Sequence, residues 1–234
     1  MKLAVLSDIH GNHYALEEVL LVAKKIGVQQ LLILGDIVGY YYHPELVMAM
    51  LSDWTHELIR GNHEKLLVQL LSGEIEQDIL TKKYGSGHQL AIEKLSAEQI
   101  SILVNAPESK KIKIDGVDIL MCHGSNWDSG CYIYPDSSIE ILEKCNEPLI
   151  DFVLIGHSHY PFVHRNKNST LINVGSVGQS RVLGGVANWL VINTDNKCFE
   201  LMATPYDVKP LLAEINAIDP ELYYLKNILK RKNT

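Results

Sequence analysis

No Cys-x-x-Cys pair and no excess of positive charge is found in these 234 residues. No apolar run approaches the ~20 residues that span a bilayer. Each absence excludes something. The four cysteines (Cys122, Cys131, Cys145 and Cys198) are too scattered to form a thiolate clip. A chain of this size has no need of disulfide staples, so reduced thiols in a cytoplasmic protein are expected. The first residues, Met-Lys-Leu-Ala-Val-Leu-Ser-Asp, read as strand rather than as a cleavable leader. A formal charge of −7 argues against nonspecific nucleic-acid or anionic-membrane partners. It leaves an anionic substrate open, because bound cations reverse the field locally.

What is present is a repeating pattern of short apolar runs followed by polar residues. Lys2–Leu6, Gln30–Leu34 and Glu57–Ile59 read as strands, each followed by a helical pattern. Asn12 and Pro44 are suited to start two of those helices, and Gly27 to stop the first. Residues 66–105 read as helical, with Ser96 to Gln99 a capping box. Lys111–Ile114 and Val117–Cys122 flank Asp115-Gly116 as a hairpin. A helix at 137–145 and the apolar strand Phe152–Ile155 follow. Two further strand pairs are expected: Pro161–Arg165 with Thr170–Val174, and Ala187–Asn193 with Lys197–Met202. Two terminal helices are expected to start near Asp207 and Asp219-Pro220. With no repeat or linker, residues 1–234 read as one domain, with two sheets facing each other and helices outside both.

Five stretches place ligand-type side chains just past an apolar run: Asp8-Ile9-His10, Gly35-Asp36, Gly61-Asn62-His63-Glu64, His123-Gly124 and Gly156-His157-Ser158-His159. Open α/β sheets bind ligands at the carboxyl ends of their strands. Hydrolysing a phosphoester at neutral pH meets two obstacles: water is a poor nucleophile, and negative charge grows on the transferring group. Two divalent ions about 3.5–4 Å apart address both. Asp8, His10, Asp36, Asn62, His123, His157 and His159 form a suitable ligand inventory, with Asp36 the expected bridge. Oxygen and imidazole donors without thiolate point to Mn, Fe, Zn or Co, with Mn favoured, rather than Ca or Mg. His63, beside Asn62, is better placed to donate a proton to the leaving oxygen than to share the metal.

On those five stretches, in this order and spacing, the chain resembles the calcineurin-like metallophosphoesterase superfamily. Gly35 to Tyr40 and Asn173 to Gln179 look like its compact bacterial and archaeal phosphodiesterase branch. The resemblance implies a four-layer αββα sandwich. It implies one metal on Asp8, His10 and His159, another on Asn62, His123 and His157, with Asp36 between, and His63 as catalytic acid. Protein phosphatases of the superfamily commonly read Gly-Asp-x-Val-Asp-Arg, with an Asp supporting the catalytic His and an Arg holding phosphate. Here those places are Gly39 and Tyr40, which disfavours a phosphoprotein substrate. Many relatives carry Asp where this chain has Glu64.

The expected function is a dinuclear phosphodiesterase acting on a small phosphoester, by attack of a metal-bridged hydroxide. A nucleotide or dinucleoside polyphosphate hydrolase and a non-catalytic scaffold with a retained metal site are the alternatives. The phosphate contact falls to Arg181 or Arg60, and Tyr40 is a candidate substrate neighbour. Tyr40, Tyr41, Tyr42, Trp127, Tyr132 and Tyr134 form either an aromatic rim that stacks a base or ordinary loop packing. His13, His43, His56, His88 and His164 are expected on the surface or satisfied in the core. The helix with Leu222, Leu225 and Leu229 is expected on the domain's own core, with a homo-oligomer contact open.

Overall fold

Alternation along the first strand, β1 (Lys2–Leu6), sets the architecture. Leu3 and Val5 face one apolar cluster, while Ala4 and Leu6 face another, as the two-residue period of a strand requires. Burying one such side chain contributes about 1.5–3 kcal/mol. A slip of one residue would exchange the two faces, so the alternation pins the register.

The computed structural model describes residues 1–232. After β1 come α1 (His13–Lys25), β2 (Gln30–Ile33), α2 (Pro44–Ser52) and β3 (His56–Leu58). The helical stretch resolves into α3 (Asn62–Ser72), α4 (Gln77–Tyr84), α5 (Gly87–Lys94) and α6 (Ala97–Asn105). The hairpin β4 (Ser109–Ile114) and β5 (Val117–Cys122) leads to α7 (Ile139–Lys144), β6 (Phe152–Ile155), β7 (Phe162–Arg165) and β8 (Thr170–Asn173). The last elements are β9 (Val186–Asn193), β10 (Cys198–Pro205), α8 (Lys209–Ile218) and α9 (Tyr223–Leu229).

Two five-stranded mixed sheets result, ordered β10-β9-β1-β2-β3 and β4-β5-β6-β8-β7. Leu3, Leu32, Ile119, Leu154 and Ile172 meet between them. Outside the first sheet, Ala4, Leu6 and Ile33 pack on the buried stripe of α1 (Leu16, Val19, Leu20, Ala23). Outside the second, Val153, Ile155 and Leu171 pack on Leu142 of α7. The expected four layers are therefore present. Asn12 caps α1 by accepting from Ala15 N at 3.1 Å. Strands β1, β2 and β3 run parallel, as do β5, β6 and β8, so within each sheet their carboxyl ends share an edge.

The C-terminal pair departs from expectation in one respect. Asp219 does not open α9, which starts at Tyr223; it follows α8 and binds elsewhere. Leu225 and Leu229 of α9 dock with Leu211 and Ile215 on Tyr41 and Tyr42, closing a smaller apolar cluster on the chain itself.

Candidate metal centre

All eight candidate residues sit where a strand ends. Asp8 and His10 follow β1, Asp36 follows β2, and Asn62 and His63 open α3 just after β3; His123 follows β5, and His157 and His159 follow β6. Nine non-glycine residues among those described have left-handed backbones, and five of them are Asp8, His10, Asp36, His157 and His159. Tyr40 is a sixth at the same place, with φ +56°. Side chains with a Cβ rarely adopt this conformation, and such strain gathers at functional sites.

The histidines are aimed by their second nitrogens. His10 Nδ1 contacts Val38 O at 3.0 Å, His123 Nδ1 contacts Leu34 O at 2.7 Å, and His159 Nδ1 contacts Gln179 O at 2.8 Å. Donation to those carbonyls leaves each Nε2 lone pair facing inward, the arrangement that orients metal-ligating histidine. His157 is turned the other way, with Nε2 on Gly130 O at 3.2 Å, which leaves Nδ1 for the centre. His10 Nε2 and His159 Nε2 then face each other at 3.3 Å, and two lone pairs so placed repel unless a proton or cation lies between.

Each carboxylate has one oxygen tied and one pointing in. Asp8 Oδ2 accepts from Ser7 Oγ at 2.6 Å and His157 N at 3.0 Å. Its Oδ1 lies 3.0 Å from His159 Nε2 but is sealed without a well-formed hydrogen bond. Asp36 Oδ1 accepts from His63 N at 2.8 Å. Its Oδ2 lies 3.3 Å from His123 Nε2 and 3.9 Å from His10 Nε2, between the two groups. Asp8, His10 and His159 bring one donor atom each within 4.8 Å of one another, and so do Asp36, His123 and His157. Asn62 Oδ1 reaches His123 Nε2 at 2.9 Å. An orphaned buried carboxylate oxygen and convergent imidazoles fit divalent cations of intermediate hardness.

Glu64 supports this geometry from behind. Its carboxylate accepts from Asp36 N (2.8 Å), Ile37 N (2.7 Å), Val38 N (3.3 Å) and Gly61 N (2.8 Å), locking the β2 loop to the first turn of α3. Burial, with Asp36 adding to it, raises its pKa to about 7.

Burial opposes the ionised forms of Asp8 and Asp36. The facing imidazoles, chiefly His159 for Asp8 and His123 for Asp36, outweigh it and hold both carboxyls below their usual range. Burial also pushes His10 and His157 down to about 4. For His123 burial acts the same way, but Asp36 outweighs it and raises the ring to about 10. Ionised carboxylates and neutral imidazoles are what metal binding would demand of these groups.

His63 brings a ring nitrogen within 4.8 Å of donor atoms on His10 and Asp36, while the rest of its ring packs on a different wall. It is buried, and burial drives its pKa well below the ordinary value. The rings of His10 (4.8 Å), Tyr40 (4.7 Å), Tyr84 (4.9 Å) and His88 (5.1 Å) surround it. Its Nδ1 is sealed without a partner. A Cβ on Gly39 (φ +89°) would drive into that nitrogen, so the loop leaves no room for a side chain behind the ring.

The remaining candidates divide. Arg181 makes no ion pair among the described residues; its Nε is sealed and unpaired, and one Nη lies 3.4 Å from Gln179 Oε1. Its backbone N–H donates to His159 O at 3.3 Å, which places it beside the site. Arg60 is elsewhere: its guanidinium holds Glu108 at 2.9 Å and Val104 O at 3.0 Å, so it is not a phosphate contact. Tyr41 and Tyr42 are fully buried under α8 and α9 and form no rim. Trp127 packs under the Lys144 ammonium at 4.1 Å. Tyr132, 54% exposed, lies on the His157 ring at 3.8 Å and parallel to Tyr134. His88 is the residue that sequence reasoning missed. It is buried but not satisfied, since neither ring nitrogen has a well-formed hydrogen bond. Its one sequence signal is the Gly85-Ser86-Gly87 break just ahead of it.

Similarity to known proteins bears on the same residues. An uncharacterized protein of Methanocaldococcus jannaschii is 28% identical over 234 residues, 91% of each chain. A hypothetical protein from Pyrococcus horikoshii shares the fold with TM-score 0.84 and 21% identity, over 100% of this chain and 99% of that one. A metallophosphoesterase from Sphaerobacter thermophilus does so with TM-score 0.78 and 23% identity, over 98% of each. The calcineurin-like phosphoesterase superfamily domain matches residues 1–197, a span that contains every candidate ligand and His63. This chain, with its Asp and His clusters at the strand ends, belongs to the calcineurin-like phosphoesterase superfamily.

Proposed function

We propose that this protein is a dinuclear-metal phosphodiesterase acting on a small phosphoester. Asp8, His10 and His159 would hold one divalent ion and Asn62, His123 and His157 the other, with Asp36 shared; Mn is the favoured metal. Two ions so held would supply a water of lowered pKa and positive charge for the phosphoryl oxygens. The observation that carries the reading is Asp36 Oδ2, which lies between His123 Nε2 (3.3 Å) and His10 Nε2 (3.9 Å) while its partner oxygen is anchored.

The chain's own residues would do the rest. Glu64 holds the Asp36 loop in register. His63, with Nδ1 sealed beside Gly39, would turn Nε2 to the leaving oxygen and protonate it or hydrogen-bond to its growing charge. Arg181, free of any carboxylate among the described residues, would bind a phosphoryl oxygen beside Tyr40. A diester suits a pocket whose Gly39 and Tyr40 offer no charged clamp for a dianionic monoester. The exposed Tyr132 and Tyr134 pair beside His157 favours a second reading, in which the ester carries a nucleobase, because stacking on an aromatic ring contributes ~1–3 kcal/mol. The protein would work in the cytoplasm, with its four cysteines, unpaired in the structure, kept as thiols.

The test is turnover of bis-p-nitrophenyl phosphate by Mn²⁺-loaded protein, with metal content measured alongside. His63→Ala is expected to lower kcat by about 10²–10⁴ and leave two metals bound. A His63→Ala protein as fast as wild type would remove the proton-donor role. Absence of bound transition metal would remove the whole reading.

A further inference from the structure

Residues 85–88 read Gly-Ser-Gly-His, and every one of them is fastened. Ser86 gives its backbone N–H (2.9 Å) and its hydroxyl (2.8 Å) to the Asp219 carboxylate, which also accepts from Tyr42 Oη at 3.0 Å. Gly87 rests on the backbone of Gly39, Tyr40 and Tyr41 so closely that a Cβ would fall within 2.7–2.8 Å of it. The start of α5 is thereby bolted to the loop behind His63. It delivers His88 with its ring parallel to His63, 11° between planes and 5.1 Å between centroids.

Packing alone does not account for an imidazole here. His88 is 1% exposed, and neither ring nitrogen makes a well-formed hydrogen bond. Buried polar atoms without partners are unfavourable and call for an explanation. A hydrocarbon ring would fill the same space without that penalty. His63 in turn has no acceptor behind Nδ1, because Gly39 occupies that place. Burial pushes His88 down to about 4, so the ring beside His63 is uncharged at neutral pH and does not repel it.

We propose that His88 is a positioning residue for His63: stacked on its ring, it fixes the plane in which Nε2 meets the leaving oxygen. The inference rests on the proton-donor role given above to His63. It adds that this orientation is set from α5 and Asp219, the latter beyond the 197 residues matched by the family domain. A misaligned donor penalises poor leaving groups most, since good ones need little proton transfer.

The experiment measures kcat and KM of Mn²⁺-loaded protein on aryl methyl phosphates whose leaving groups run from p-nitrophenol to phenol. His88→Phe is expected to keep thermal stability, two metals and KM. Its kcat on the phenyl ester should fall about tenfold or more and on the p-nitrophenyl ester by less. His88→Asn, which keeps a donor, is expected to lie between wild type and His88→Phe. The double variant His63→Ala/His88→Phe should be no slower than His63→Ala, since a residue acting through another adds nothing once that one is gone. Wild-type leaving-group dependence in His88→Phe, loss of metal in it, or additive losses in the double variant would overturn the proposal. If His63→Ala itself shows no leaving-group dependence, the role given to His63 fails. If His63→Ala shows it and His88→Phe does not, only the present inference fails.

Discussion

The two walls of this site are built by opposite means. The wall of candidate ligands is a lattice of hydrogen bonds: carbonyls of Val38, Leu34 and Gln179 aim three imidazoles, and Ser7, His157 N and His63 N tie the carboxylates. The wall around His63 has almost none. Four rings and a glycine hold it, and Nδ1 of His63 and both nitrogens of His88 lack well-formed bonds. Ligands for a cation must present lone pairs at defined points, and hydrogen bonds supply that direction. A proton donor needs a fixed plane and a dry setting, which packed rings provide. One wall should therefore fail through lost charge and the other through lost shape.

Asp36→Asn attacks the first wall at its centre. It keeps an acceptor for His63 N and removes the shared charge, so metal content should drop and turnover should fall by more than about 10²-fold. Elemental analysis and kinetics on one preparation check this; full metal loading in Asp36→Asn would deny it the bridging place.

Gly39→Ala attacks the second wall alone. The new Cβ collides with His63 Nδ1 at a left-handed backbone position. Strain of that kind costs about 1–3 kcal/mol, and turnover should fall about 10²-fold with metal content intact. Joint loss of metal and activity would mean the two walls are not separable.

Acid should weaken both walls in metal-free protein. His10, His157 and His88 have folded pKa values near 4, below the ordinary 6.5. The unfolded chain takes up protons below 6.5 that the native one refuses until about 4. Their stabilisation is thus complete above 6.5 and lost as pH falls through 4, by roughly 1 kcal/mol per pH unit for each group. His123, raised to about 10, contributes with the opposite sign, below 6.5 and lost as pH rises to 10. Urea unfolding from pH 6.5 to 4 measures the slope, and His88→Phe should remove about a third of the part due to these three rings.

The smallest effect is expected at the rim. Arg181→Ala should raise KM for a diester about tenfold, in line with one charge-assisted contact of roughly 1.5–3 kcal/mol at most, and leave metal content and kcat nearly unchanged. A fall in kcat with KM constant would move Arg181 from binding to transition-state stabilisation.

The walls also differ in how far they can be read from the chain. The gathering of the candidate residues was legible because they follow strands within a few residues, as Asp8 follows Leu6 and His157 follows Ile155, and parallel strands of a sheet bring such positions to a shared edge. The αββα layering was legible from the order of apolar runs and helical patterns along the chain and from the family resemblance. Arg60 was misread because its neighbour Asn62 faces the site, yet its own guanidinium turns to Glu108. Tyr40, Tyr41 and Tyr42 offered a possible rim, but all three are buried in one cluster whose other members come from helices about 170 residues later.

By itself, then, the sequence determined the strands, the ligand types and the edge where they gather, since all of these follow from short-range periodicity and from chemistry carried by single residues. Only the tertiary structure decided which nitrogen of each histidine faces inward, that Arg181 rather than Arg60 stands beside the site, and that His88 lies flat on His63. Those outcomes depend on carbonyls, glycines and carboxylates supplied from remote parts of the chain, such as Asp219 on Ser86, and no local pattern encodes the meeting of segments separated by 133 residues.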